Sequence, residues 1–340
     1  MRLAQPFKRP EVFTRTRRRV ERVGSTDRAP SVQPLLGITL KVLSALAFTL
    51  MSAGVKQVSA GYPVGEIVFF RSAFAIVPLL VWLGWRRELA DAVRTSNIGG
   101  HVLRGLMGSC GMFAGFAALS FLPLSDAVAI GYAAPLITVV LAALVLKETV
   151  RAYRWMAVAL GFAGVLIMLL PHLDLAALAR GPVGGPTVGA LFSLLAAFCA
   201  AGATVQVRRL TATEKTGAIV FYFSLLTTAL GLATIVLGWR APGWSDFGLL
   251  AVTGVLGGIG QILLTQSYRY ADASLIAPFD YTTMIWALLI GWFAFGQMPQ
   301  GTVITGGLIV AAAGLFVLWR ESRLGLIRAK VVEAGAQRPV

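Results

Sequence analysis

A few polar side chains lie inside long apolar stretches of this 340-residue sequence, and their chemistry gives the first indication of function. Arg71 falls about seven residues into one such stretch, roughly 10 Å from its nearer boundary at the rise of a helix. An arginine inside a bilayer costs roughly 2.5–3.5 kcal/mol on insertion scales, so it must face a cavity or a partner. One reading is a cation that binds or gates a carboxylate-bearing solute. The other is a structural arginine bonded to backbone carbonyls or snorkelling to the boundary. Asp280 is the one acidic residue deep within an apolar stretch. Such a carboxylate, if isolated, has a raised pKa and can carry a proton or balance a cationic solute. Alternatively, it bonds backbone groups freed by the neighbouring Pro278. Counted from opposite boundaries, the two depths leave roughly 10 Å between Arg71 and Asp280 along the membrane normal, which argues against a direct salt bridge.

Aromatic and amide groups join these two. Tyr132 and Tyr281 each lie beside a proline, Pro135 and Pro278, and broken helices are the best sequence pointers to a carrier's site. Trp286 offers a face on which a planar or cationic group can stack, and Gln266 offers hydrogen bonds. Packing is the competing role for each aromatic. Lys41 stands one or two turns into the first apolar stretch, within snorkelling reach of the boundary, and is given no site role. Asp126 and Glu66 start their stretches and read as helix N-terminal residues. His101 and His172 have no acidic or cysteine neighbours at ligand spacing, so no metal site is expected. Cys110 and Cys199 read as core thiols without a disulfide, and no cofactor is implied.

The elements that position these residues follow from composition. Hydrophobic residues make up 57% of the chain and charged residues 13%, which describes a polytopic membrane protein. Ten apolar segments run over approximately 35–54, 65–84, 103–121, 124–146, 152–170, 186–207, 217–238, 246–268, 273–295 and 302–319. Their lengths suit a hydrocarbon layer of roughly 30 Å. The net charge of +15 does not indicate nucleic acid, because nine of the 30 Lys and Arg lie in the first 28 residues and most others fall between apolar runs. Residues 1–33 lack an apolar run and a cleavage signal, and read as a disordered, retained cytoplasmic tail. With that end inside, eleven Lys and Arg fall in short inside loops, among them Arg86, Arg104, Arg151, Arg209 and Arg269. Only Lys56, Arg180 and Arg240 fall outside. Both termini are therefore expected on the cytoplasmic side of the membrane.

The chain also repeats itself. A constant offset of 149 places Ser125 on Ser274, Tyr132 on Tyr281, and Gly105, Gly108 and Gly111 on Gly254, Gly257 and Gly260. Five helices per copy is an odd number, so the second copy enters the membrane upside down. The expected fold is all-α, ten transmembrane helices as two inverted five-helix repeats, the arrangement that supports alternating access. The expected divisions are residues 1–33, 34–171, an outside linker 172–185, 186–320 and a cytoplasmic tail 321–340. Small residues at four-residue spacing, Gly111 with Gly115, Gly254 with Gly258, Ala157 with Gly161 and Gly307 with Ala311, mark close helix contacts.

These features together resemble the EamA-type carriers of the drug/metabolite transporter superfamily. They include an aromatic and a proline in the fourth helix, the charged stop Lys147-Glu148, and the Gly161-Phe162-Ala163-Gly164 run. The stretch Met51 to Lys56, with Tyr62-Pro63 and Glu66 to Ser72, looks most like the branch that includes S-adenosylmethionine carriers. The second copy departs from the pattern, with Asp280 for Gly131, Met284 for Pro135 and Gln297 for Glu148. The resemblance implies a cavity between the halves, with the fifth and tenth helices peripheral and available to a homodimer. The expected function is secondary transport of a small organic metabolite, S-adenosylmethionine or an amino-acid-like solute, with Asp280 as the candidate for proton coupling. Efflux of amino acids or drugs is the alternative within transport, and a non-transporting scaffold or sensor the alternative outside it. No GxxxxGK[ST] loop and no catalytic triad or paired carboxylates stand out, which argues against ATP-driven transport and enzyme chemistry.

Overall fold

A computed structural model describes residues 34–145, 151–172, 184–210, 213–270 and 276–336. The Lys147-Glu148 stop and most of the expected linker lie outside these residues. Every regular element among them is helical. In chain order these are α1 (Pro34–Val58), α2 (Val64–Trp85), a short α3 (Leu89–Val93), α4 (Ile98–Phe121), α5 (Leu124–Gly131) and α6 (Ala133–Val145). They continue with α7 (Ala152–Leu169), α8 (Gly185–Leu210), α9 (Thr216–Ala233), α10 (Trp244–Tyr270), α11 (Thr282–Phe295) and α12 (Gly301–Ala336).

Eight apolar helices, counting α5 and α6 as one, are long enough to cross a membrane, and Phe279–Phe295 and Gly301–Val317 are shorter apolar helices. In the ninth expected segment a 3-10 turn, Ala277–Tyr281, precedes α11. Proline at the start of that turn supplies no backbone N–H for an α-helical bond to the preceding turn. Helix starts follow the same chemistry. Pro63 and Pro123 precede α2 and α5, and Asn97 caps α4 by accepting a hydrogen bond from the Gly100 N–H at 2.8 Å. Gly296, with φ of 61°, ends α11 in the left-handed conformation that glycine tolerates.

The outer surface is apolar. Leu80, Leu106, Leu144, Leu160, Ile285 and Leu308 are all exposed, a surface that lipid covers at no cost and water does not. Trp85, 86% exposed at the end of α2, and Trp244, 92% exposed at the start of α10, stand where interfacial tryptophans belong.

Inside the bundle, α1 packs on α10 and α8 on α4, α2 packs on α9, and α7 packs on α12. Small residues make these contacts close. Added Cβ atoms at Gly254 and Gly258 would press on the α2 backbone carbonyls of Arg71 and Ala75, at 2.9 and 2.7 Å. Gly111 fits against Cys199 and the carbonyl of Ala196 on α8. Gly164 of α7 and Gly306 of α12 meet backbone to backbone. Lipid removes the hydrophobic drive for association, so such close approach supplies the attraction through dispersion. The expected glycine contacts of the third and eighth helices are thus present, and α7 and α12 use glycines on each other within one chain.

Candidate functional site

Two groups of polar side chains lie within the bundle. The first surrounds the helix breaks. The Tyr132 position interrupts the path from α5 to α6, and Tyr281 closes the 3-10 turn before α11. Their rings meet at 5.3 Å between centroids, and the Tyr132 hydroxyl donates to the Asp280 carbonyl at 3.4 Å. The Tyr281 hydroxyl lies against Gly314 of α12, where any Cβ would overlap it. The two repeat-equivalent tyrosines are therefore neighbours across the bundle.

Among the described residues no backbone amide donates to the Asp280 carboxylate. Its Oδ1 lies 2.6 Å from Nζ of Lys41 on α1. The lysine is only 2% exposed and the aspartate is 52% exposed. Lys41 therefore does not snorkel, and Asp280 is not an isolated carboxylate. Sequence spacing could not show this, because the partners are 239 positions apart and neither has a charged repeat equivalent (Lys41 answers Ala190, and Asp280 answers Gly131).

The second group holds two arginines. Arg71, 3% exposed on α2, points its Nε at the Met51 sulfur, 3.4 Å away. The guanidinium lies against Gly257 of α10, where a Cβ would come within 2.9 Å of Nε and 3.0 Å of Nη2. Arg104, expected in a cytoplasmic loop, instead lies in the second turn of α4 and is half-buried there. Its guanidinium stacks on Phe223 of α9, with Cζ 3.7 Å from the ring centroid, and its Nη1 lies over Gly108. Its Nε and Nη1 are buried without a hydrogen-bond partner. Among the described residues neither guanidinium has a carboxylate within ion-pair distance. Ser109 and Thr227 share a 2.8 Å hydrogen bond one helix position from Gly108.

The remaining predicted residues are half-buried. Gln266 on α10 and Trp286 on α11 bury Oε1 and Nε1 without partners, so each has hydrogen-bonding capacity to offer a ligand. The structure thus joins Tyr132, Tyr281 and Asp280 and places Arg71 in the second group.

Polar contacts also tie the ends of the bundle. At the end where α1 meets α2, Lys56 Nζ donates to the carbonyls of Leu119 and Leu122 at 3.0 and 2.6 Å. Asp126 Oδ2 lies 3.1 Å from His172 Nε2, and no side chain caps α5, so Asp126 is a partner for a histidine rather than a helix cap. Glu66 accepts from the Arg240 N–H at 3.0 Å, and Gln297 accepts from the Leu124 N–H at 3.1 Å. At the other end Glu214 accepts from the N–H and hydroxyl of Ser96, both at 2.9 Å, and faces His101 Nε2 at 3.6 Å. Burial pushes the Glu214 carboxyl up, but hydrogen bonds from Ser96, Thr95 and His101 outweigh it and hold it at about 2. Each histidine therefore has an acidic neighbour supplied by a distant segment. Among the described residues no group of three or more His, Cys, Asp or Glu could hold a metal ion.

An open groove of about 530 Å³ runs along α4 and α8, lined by Leu106, Phe113, Ala114, Phe192 and Leu195. It is apolar apart from Ser109 and Cys110, the latter exposed, and holds none of the charged groups above.

An all-helical bundle with an apolar outer surface and polar groups gathered between packed helices defines a multi-span membrane protein. The chain belongs to the EamA-like transporter family, whose model matches residues 35–170 and again 187–320. It is 31% identical over 287 residues to a pseudopaline exporter of Pseudomonas aeruginosa, covering 82% of this chain and 94% of that one. It is 30% identical to a riboflavin transporter of Vibrio cholerae, covering 85% and 95%, and 27% identical to an S-adenosylmethionine uptake transporter of Rickettsia prowazekii, covering 85% and 94%. A crystal structure at 19% identity superposes with a TM-score of 0.60 over 84% of this chain and 98% of that one, a likeness of fold alone. The family and these relatives point to a membrane transporter rather than an enzyme.

Proposed function

We propose that this chain is a secondary carrier that moves a small organic metabolite by alternating access. Its ten spans form two inverted five-helix units over 34–171 and 186–320, with both termini on the cytoplasmic side of a bacterial inner membrane. The observation that carries this reading is the meeting of Tyr132 and Tyr281, one from each half, at two helix irregularities beside the Lys41–Asp280 pair. Broken helices at a repeat interface are where carriers place substrate and coupling ion. The reciprocal packing of α1 on α10 and α8 on α4 supports two related halves that can rock against each other.

The substrate is an S-adenosylmethionine-like or amino-acid-like solute, with its carboxylate on Arg71 and its cationic or planar part near Trp286 and Asp280, where Gln266 and the tyrosines add hydrogen bonds. Coupling to protons uses the asymmetry of the ion pair. Asp280 is half-exposed while Lys41 is buried, so protonating Asp280 strands a buried ammonium and favours rearrangement. Export is the second reading, favoured by the likeness to the pseudopaline exporter. Flux of labelled solutes in vesicles containing the purified protein, with the pH gradient imposed in each direction, tests the reading. Saturable movement supports it, and no movement in either direction with correctly inserted protein contradicts it.

A further inference from the structure

The two arginines, Arg71 buried whole and Arg104 with its Nε and Nη1 buried, occupy equivalent places in the two halves, although sequence register does not relate them. Arg71 plus the repeat offset of 149 is Val220, and Arg104 plus the same offset is Thr253. Their guanidinium groups nevertheless rest on Gly257 and Gly108, which are partners under that offset. The surrounding helices reproduce the match. On α2, Phe74 fills the space at Gly254 and Arg71 that at Gly257, while on α9 Leu226 fills the space at Gly105 and Phe223 that at Gly108. Phe223 therefore stands where Arg71 stands in the other half, and Arg104 lays its guanidinium on that ring.

The direction of Arg104 is informative. A snorkelling arginine so near the start of α4 would turn back toward that end. Arg104 instead reaches one turn deeper, to Gly108, about 15 Å along the helix from Ile98. Arg71 enters from the opposite boundary to a depth of about 10 Å. Ser72, next to Arg71 on α2, contacts the Met112 sulfur of α4, one turn beyond Gly108, at 3.8 Å, which brings the two arginine-bearing helices together. Two like charges in low dielectric repel, and among the described residues no carboxylate offsets them. Stacking on Phe223 orients one of them without neutralising it.

We infer that Arg71 and Arg104 form a pseudo-symmetric pair of cationic subsites, and that the substrate is an organic anion with two carboxylates, one on each guanidinium. The inference rests on the carrier reading for its biological use and, within it, favours an amino-acid-like solute with two carboxylates over the singly carboxylated S-adenosylmethionine. A dianion neutralises both charges in one step. Because the subsites are related by the repeat, each half holds one carboxylate as the halves rock. Planar guanidinium forks suit carboxylates in bidentate geometry, which a lysine pair would not reproduce.

The test is ligand-dependent thermal stabilisation of the purified full chain in lipid nanodiscs at fixed ionic strength. The probes are malonate, succinate, glutarate and adipate, each beside its monoamide. At least one diacid should half-saturate at a concentration about tenfold below that of its monoamide, since a charge-assisted hydrogen bond is worth about that factor. Arg104→Gln should bring the pair to parity, as should Arg71→Gln. Gly108→Ala keeps every charge but displaces the Arg104 guanidinium, and should lose the preference likewise, which guards against misfolding of the glutamine variant. Arg104→Lys should restore part of it. Equal half-saturation of every diacid and its monoamide overturns the inference, as does a preference that survives both Arg104→Gln and Gly108→Ala. Diacid preference without flux in vesicles would contradict the carrier reading alone. Flux without diacid preference would contradict this inference alone.

Discussion

Lys41 and Asp280, 239 positions apart and on opposite halves of the chain, hold their charged atoms 2.6 Å apart. The lysine is almost wholly buried while the aspartate is half-exposed. Removing the aspartate leaves a buried ammonium. The cost lies somewhat below the about 3–5 kcal/mol typical of a fully buried pair, because Asp280 is partly exposed. Asp280→Asn should therefore melt lower than the double variant Lys41→Met with Asp280→Asn. A double-mutant cycle by thermal unfolding in detergent checks this, and additive effects would dissociate the two residues.

Asp280→Asn should also abolish uptake driven by a pH gradient while sparing binding and solute exchange. Unchanged dependence on the gradient would remove the proton role from Asp280.

Arg71→Gln should weaken carboxylate-bearing solutes by about tenfold or more while leaving their carboxamide analogues unchanged. Competition binding with matched pairs reads this directly. Equal loss for both members would make Arg71 a structural arginine holding α2 to α10 beside Gly257.

Glu214 ties the residues before α4 to the turn between α8 and α9 through Ser96. Its carboxyl is held at about 2, below its unfolded value of roughly 4.3. The clasp therefore contributes fully above that unfolded value and is lost as pH falls through about 2. Glu214→Gln should flatten the acid dependence of hydrogen exchange at Ser96 and Asn97 in this window. An acid response equal to the wild type would remove Glu214 as its source.

Gly164 and Gly306 bring α7 and α12 together through their backbones. Leucine at either position forces the helices apart, and overpacking of this kind costs about 1–3 kcal/mol. Gly164→Leu should lower the melting temperature, whereas Leu at the neighbouring exposed position Leu166 is already accommodated by lipid. A melting temperature unchanged by Gly164→Leu would show that the contact contributes nothing.

The fold was more legible than the site, for physical reasons. Apolar length marks spans directly because the bilayer demands satisfied backbone groups over a fixed thickness. The offset of 149 also identified Gly108 with Gly257 and Tyr132 with Tyr281. Lys41 and Arg104 were missed because each lies near a helix start, where depth alone suggests snorkelling or a loop. Only the direction of the side chain, toward Asp280 and over Gly108, reveals otherwise. Asp126 stands in the first turn of α5 as expected, but its pairing with His172 was missed because that partner comes from beyond the next helix. Charge pairing between distant segments leaves no local spacing to find. The one trace available was that several basic or acidic residues lacked counterparts in the other copy.

The central claim is that this EamA-family chain moves an organic solute across a membrane by using two rocking halves. Flux of labelled solutes into proteoliposomes under an imposed pH gradient tests it most directly. The account predicts saturable accumulation that collapses with the gradient and is lost in Asp280→Asn. Absence of flux for every solute tried in both directions, with the protein folded and inserted, would contradict it.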